Sequence, residues 1–308
     1  MDMLDEYLER LLAGGRARFY GITVGGGTAL LVLTGWLWWH YSYLNPQTVF
    51  WAAVNNNLVV SGVTKHTVSG NANAKLDQYD QLSLGAHNVV KTTTLSSQQG
   101  GDQKIKVASE TIGTPEASFS RYTSIETNQR TPSGQPLNFK PVVGQWSKQS
   151  TANATSGVFA DAIFDAFPFA NFSASQREQV MNSIKNDKVY DVDFTKVAKN
   201  RQDGRLYYGY VASIAPDKYI QLIKQVDNLM GLNQLKNLDP VKYQGAQPIK
   251  LGVKIDAIGH QFATVTYIGN SRQIDYAEWG AQIIPDIPIK TITQADLQNK
   301  LSSILNGQ

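Results

Sequence analysis

The stretch IKLGVKIDAIGHQFATVTYIGNSRQIDYAEWG, Ile249 to Gly280, decides the fold of this chain. Ile249, Leu251, Val253 and Ile255 alternate with polar residues, the period of a strand that buries one face. Gly259 and the Gly269-Asn270 pair stand where short turns belong, so the stretch reads as a three-stranded antiparallel meander.

Upstream, pieces such as VTKHTVSG, HNVVKTTTL, QKIKVASETI and ASFSRYTSIET, between Val63 and about Trp146, alternate imperfectly and predict further antiparallel strands. The polar runs TTTLSSQQGGDQ and QSTANATSG suit exposed loops, as does the proline-rich NQRTPSGQPLNFKP. KVYDVDFTKV puts Tyr190, Val192 and Phe194 on one strand face, and Asp203-Gly204 turns it into RLYYGYVASI as a hairpin.

Helices interrupt and cover these strands. Phe50, Trp51, Val54 and Leu58 keep helical offsets after Pro46. GVFADAIFDAF carries Phe159, Ile163 and Phe167 on one face and Asp161 and Asp165 on the other, and Pro168 ends it. SASQREQVMNSIKN follows, with Ser175 and Glu178 spaced as a capping box before Val180, Met181 and Ile184. Pro216 opens a helix bearing Tyr219, Ile220, Ile223, Val226 and Met230, with Gly231 as its stop. Thr293 and Asp296 cap a last helix with Leu297, Leu301 and Leu305. The class is α+β.

The segment from Phe19 to Tyr41 has another character. It holds no charge as far as Trp39, and at about 1.5 Å per residue it is long enough for the roughly 30 Å apolar layer of a bilayer. Its glycines run into Leu30 to Leu33 rather than into a phosphate-binding loop. Its end is aromatic, with Trp36, Trp38, Trp39 and Tyr41, unlike the small-residue end of a cleaved signal. Arg16 and Arg18 precede it and no Lys or Arg follows until Lys65, which places residues 1–18 in the cytoplasm, a transmembrane helix at 19–41 and residues 45–308 outside.

Composition narrows the function. A net charge of +3 over 308 residues, with acids and bases interspersed, gives no footprint for nucleic acid. There is no cysteine, hence no disulfide, no thiolate metal site and no acylated lipoprotein anchor. His40, His66, His87 and His260 show no metal-ligand spacing, no nucleophile motif is present, and the pairs Asp161/Asp165 and Asp191/Asp193 read as solvated faces. Neither an enzyme nor a cofactor or metal is expected.

The order of elements, with Ile255-Asp256, the turn at Gly269, and Tyr276, Trp279 and Gly280 closing an aromatic strand, resembles the extracytoplasmic carriers of the LolA, LolB and LppX/LprG type. The resemblance implies a half-barrel, a curved antiparallel sheet with helices on its concave side, around an apolar cavity for a lipid, lipoprotein acyl chains or a lipoglycan. The chain departs from the lipoprotein members by lacking the cysteine, and from the soluble shuttle by keeping a membrane helix. An envelope interaction or assembly protein that uses the fold without a cavity is the alternative. Between Phe159 and Phe172 lie five of the eleven phenylalanines. Phe159, Ile163 and Phe167 share a helix face that serves as core or cavity lining. Phe164, Phe169 and Phe172 fit that stripe less well and are the expected cavity mouth, on a chain leaving its helix toward the surface.

Overall fold

The computed structural model describes Val32 and residues 34–150 and 157–306. The chain divides into two compact units, Met1–Val49 and Phe50–Gln308. In the first, residues 34–38 are helical and run into a π-helical turn, Trp39–Tyr43, where Trp39 stacks on Tyr43 at 4.5 Å. Trp36, Trp38, Trp39 and Tyr41 are all exposed. Arg16, Arg18 and most of the expected span lie outside the described residues, among which no helix is long and apolar enough to cross a membrane.

The larger unit is built on one sheet. Its first strands are β1 (Gly62–Gly70), β2 (Ala74–Ser83), β3 (Val89–Gly100), β4 (Gln103–Gly113), β5 (Ala117–Thr127) and β6 (Ser147–Ser150). The rest are β7 (Tyr190–Val192), β8 (Ala198–Gln202), β9 (Arg205–Ile214), β10 (Ile249–Asp256), β11 (Gln261–Tyr267), β12 (Gln273–Ala277) and β13 (Ile292–Thr293). The spatial order is β13-β6-β5-β4-β3-β2-β1-β12-β11-β10-β9-β7, with β8 also on β9, so the sheet is curved but unclosed and β13 and β7 are its ends. β10 to β12 form the expected meander, and β1 pairs antiparallel with β12, joining both ends of the unit's sequence at the sheet centre.

The helices are α1 (Pro46–Asn57), α2 (Val158–Ile163), α3 (Ala174–Asn186), α4 (Pro216–Leu229) and α5 (Gln294–Asn306). Reciprocal bonds between Thr293 and Asp296 cap α5 as expected: the Asp296 N–H donates to Thr293 Oγ1 at 3.1 Å and the Thr293 N–H to Asp296 Oδ2 at 3.3 Å. Pro216 begins α4, and Gly231, at φ +72°, follows it. Asp203 and Gly204 both have positive φ, the geometry of a tight hairpin turn between β8 and β9.

Four expectations are corrected. The polar run TTTLSSQQGGDQ is no loop: β3 and β4 continue as a paired ribbon to Gly100 and Gln103, because threonine and glutamine hold a two-sided solvated strand through backbone pairing alone. The KVYDVDFTKV strand breaks after Val192, where Asp193 accepts the Thr195 N–H at 3.0 Å and starts a short 3-10 turn. The capping box of α3 is Ser173 with Gln176, not Ser175 with Glu178. Finally, α2 ends at Ile163 rather than at Pro168, and the chain from Phe164 on is irregular.

That early end has consequences for packing. The chain after Pro168 turns back along the end of α1, where the Ala170 and Phe172 N–H groups donate to the carbonyls of Asn57 and Leu58, both at 2.9 Å. Phe169 and Phe172 are therefore buried. Phe167 stacks on Phe262 at 4.3 Å and on Tyr190 at 4.8 Å, and Phe50 meets Phe167 and Tyr210 edge-on. These rings fill the space between α1, the 164–172 segment and strands β9 to β12.

At its other end α2 lies against β4. A Cβ on Gly113 would sit 2.7 Å from the Phe159 backbone nitrogen and 3.0 Å from Val90 Cγ1. Gly113→Ala should therefore cost about 1–3 kcal/mol, the range for overpacking. Urea unfolding of the full chain, followed by tryptophan fluorescence, measures it; an unchanged midpoint would contradict this close approach.

Candidate functional site

Strand register lays one polar row across the covered face of the sheet. Tyr276, Lys65, Asp80, Thr92, Thr111 and Ser120 are successive cross-strand partners from β12 through β1 to β5. Lys65 and Asp80 are each 2% exposed. Burying two charges is tolerable only when both are paired and their remaining hydrogen-bonding capacity is met. Asp80 meets that condition: it accepts from Thr92 Oγ1 at 2.8 Å and from Gln78 Nε2 at 2.9 and 3.0 Å, and lies 3.7 Å from Lys65 Nζ.

Lys65 reaches up from the sheet to the segment above it. Its Nζ donates to the Ala162 carbonyl in α2 at 2.7 Å and lies 3.5 Å from Asp165 Oδ2. Asp165 is the centre of the arrangement. Its Oδ1 accepts from the Tyr267 hydroxyl at 2.8 Å and the Ala166 N–H at 2.8 Å, and Arg272 Nη2 stands 3.4 Å from both carboxylate oxygens. The Tyr219 hydroxyl of α4 donates to the Asp165 carbonyl, and the Tyr190 hydroxyl donates to the Ala166 carbonyl at 2.9 Å. One carboxylate thus ties the segment after α2 to β1, to the β11–β12 turn and, through its own backbone, to α4.

Electrostatics keep that carboxylate ionised. Burial pushes the Asp165 carboxyl up, but Lys65 first and Arg272 next, with the Ala166 N–H and the Tyr267 hydroxyl, more than offset it and hold the group below the usual carboxylate range. Burial raises the hydroxyls of Tyr190, Tyr219 and Tyr276 well above a normal phenol, and the negative charge of Asp165 adds to this. They stay protonated donors at any physiological pH.

Beside the clasp opens a cleft of about 480 Å³. Its apolar wall is Phe164, Ile214, Ile223, Leu235, Leu238 and Ile249, brought together from the segment after α2, the end of β9, α4, the following loop and the start of β10. Its polar end is Asp165, Tyr219, Tyr267 and Arg272. The volume falls in the roughly 300–1,000 Å³ span of small-molecule sites, and mostly apolar walls with a few convergent polar groups are their usual make-up.

Of the six candidate lining residues, the structure brings one to this cleft. Phe164 borders it, whereas Phe159, Ile163, Phe167 and Phe169 are at most 1% exposed and Phe172 is 6% exposed. Phe169 and Phe172 do not surface after Pro168, because the Ala170 and Phe172 amides pair with Asn57 and Leu58 at the end of α1; Asn171 between them is exposed. Asp165, read as a solvated partner of Asp161, is buried; only Asp161 is exposed, since the helix that would have put both on one face stops at Ile163. Leu235 and Leu238, Arg272 and the pair Lys65 and Asp80 were not singled out by the sequence reading. The one local signal was Lys65 in the inward frame of VTKHTVSG, between Val63 and Thr67.

Removing the carboxylate should leave Lys65 buried without its upper partner, so Asp165→Ala is expected to cost about 3–5 kcal/mol. The sign of the pH effect follows from the lowered native pKa. Asp165 stabilises fully above its unfolded value, near pH 4, and the contribution is lost as pH falls through its lower folded value. Urea titrations of wild type and Asp165→Asn should differ by a constant amount above about pH 5 and converge below about pH 4. A gap that instead grew on acidification would show that the buried carboxyl is neutral.

No family model matches this chain. No curated protein matches it either. Among solved structures, the crystal structure of LprF from Mycobacterium bovis is similar over 78% of this chain and 96% of that one, at 11% identity and a TM-score of 0.40.

Proposed function

We propose that this chain is a noncatalytic protein of the LolA/LppX-like carrier type, anchored in the cytoplasmic membrane, whose outer domain binds or hands over an apolar ligand. The observation that carries the reading is the cleft beside Asp165, with six apolar side chains along its wall and Asp165, Tyr219, Tyr267 and Arg272 converging beside them. The ligand is a lipid or the acyl chains of a lipoprotein, since apolar surface of this kind gains from taking up a chain and loses from holding water. Anchoring is supported by the uncharged run from Phe19 to Trp39, by Arg16 and Arg18 before it, and by the exposed rings of Trp36, Trp38, Trp39 and Tyr41, which suit a membrane interface.

A second reading, an envelope assembly protein, draws on a different observation. Ile284, Ile287 and Ile289 stand 71%, 45% and 99% exposed on the irregular segment after β12, and the stacked rings fill much of the interior a large ligand would need.

Native mass spectrometry of the full chain, released from a lipid bilayer mimic, separates the two. The carrier reading predicts a discrete added mass that Leu235→Trp, which fills the cleft, abolishes. A bare chain in every preparation, or an adduct that Leu235→Trp leaves unchanged, would sink the cleft as the ligand site. Protease added to intact cells should digest the domain beyond Asn45; full protection there would overturn the topology.

A further inference from the structure

We infer that the ligand of this cleft carries an anionic head, a carboxylate or a phosphate, seated on Arg272. The inference rests on the reading of the cleft as a ligand site and adds the chemistry of the head. It starts from an imbalance of hydrogen-bonding groups at the polar end. Asp165 spends its oxygens on Lys65, Arg272, Tyr267, Ala166 and, through its carbonyl, Tyr219. The hydroxyl protons of Tyr219 and Tyr267 are spent on Asp165 in return. Arg272 is different. Only its Nη2 engages Asp165, with long contacts of 3.4 Å, while its Nε and Nη1 make no hydrogen bond to the described residues. Its side chain is 40% exposed where its partner's is 2%, and it lines the cleft.

The guanidinium is held in place for such a role. It lies over the Tyr267 ring, 4.9 Å from the centroid, and Asp165 fixes one end of the fork. Arg272 has only donors to offer, so a head seated on it accepts hydrogen bonds. The buried charges do not oppose an anion, since Lys65 and Arg272 balance Asp80 and Asp165. Asp161 is the other acid on the lining, and it is exposed, where water and salt screen it. With the head on Arg272, a chain runs along Ile223, Leu235 and Leu238.

The test is photolabelling of the full-length chain in phosphatidylcholine nanodiscs. Four probes share one long alkyl chain with a diazirine near its end and differ in the head: carboxylate, phosphate, alcohol and trimethylammonium. The carboxylate, the phosphate or both should label peptides containing Ile223 or Leu235 to Leu238 about tenfold more than the alcohol, the scale of one charge-assisted hydrogen bond. The stronger of the two anionic arms identifies the head. In Arg272→Gln the ratio of anionic to alcohol labelling, taken within the variant, should fall to about one whatever the absolute level; Arg272→Lys should keep part of the preference. Equal labelling by all four heads in the wild type, or a preference that survives Arg272→Gln, overturns this inference and leaves the cleft as a ligand site. Labelling of these peptides by no probe overturns both.

Discussion

The buried carboxylate of Asp165 is the constraint around which the covered face of this protein is arranged. A charge at that depth is stable only because Lys65, Arg272, Tyr267 and a backbone amide all converge on it. These partners sit on β1, on β11 and in the β11–β12 turn, and Tyr219 of α4 adds a bond to the same residue's carbonyl, so satisfying one residue fixes where three separate pieces of chain meet it. A buried ion pair adds little net stability compared with apolar packing, but it is intolerant of misplacement. In this fold it sets the position of the irregular segment after α2, and that segment forms one wall of the cleft.

The two halves of the sheet use different physics. From β9 to β12 the buried residues are large rings and branched aliphatics, including Tyr208 and Ile274, with Tyr210 against Phe50 and Phe262 against Phe167. From β1 to β5 the row through Lys65, Asp80, Thr92 and Thr111 is polar, and beyond it the strands run on as a ribbon of serine, threonine and glutamine held by backbone pairing. The cleft lies on the apolar side, bounded by Ile214 and Ile249 at the ends of β9 and β10, and Arg272 marks its border with β1.

Much of this architecture was legible in the sequence. The meander from Ile249, the strands from Val63, the turn at Asp203-Gly204 and the starts of α4 and α5 are local features, fixed by period-two alternation, by glycine conformation and by capping residues. The site was less legible, for a physical reason. Asp165 looks like a surface residue in any helical window drawn through GVFADAIFDAF, and its burial is decided by Lys65, Arg272 and Tyr267, far away in the chain. The same holds for Phe169 and Phe172: their burial follows from amide bonds to Asn57 and Leu58, a pairing that no periodicity announces. The span at residues 19–41 remains a reading of composition and of flanking arginines.

Hydrogen exchange across the segment from Val158 to Phe172, in the full chain and in Asp165→Asn, tests the account most directly. If the carboxylate clasps this segment to the sheet, neutralising it should speed exchange at the amides of Phe164, Phe169, Ala170 and Phe172, which are bonded within this segment or to the end of α1, while β10 to β12 keep their protection. Unchanged protection across the segment, or an equal loss throughout the sheet, would contradict the claim that Asp165 holds this wall of the cleft in place.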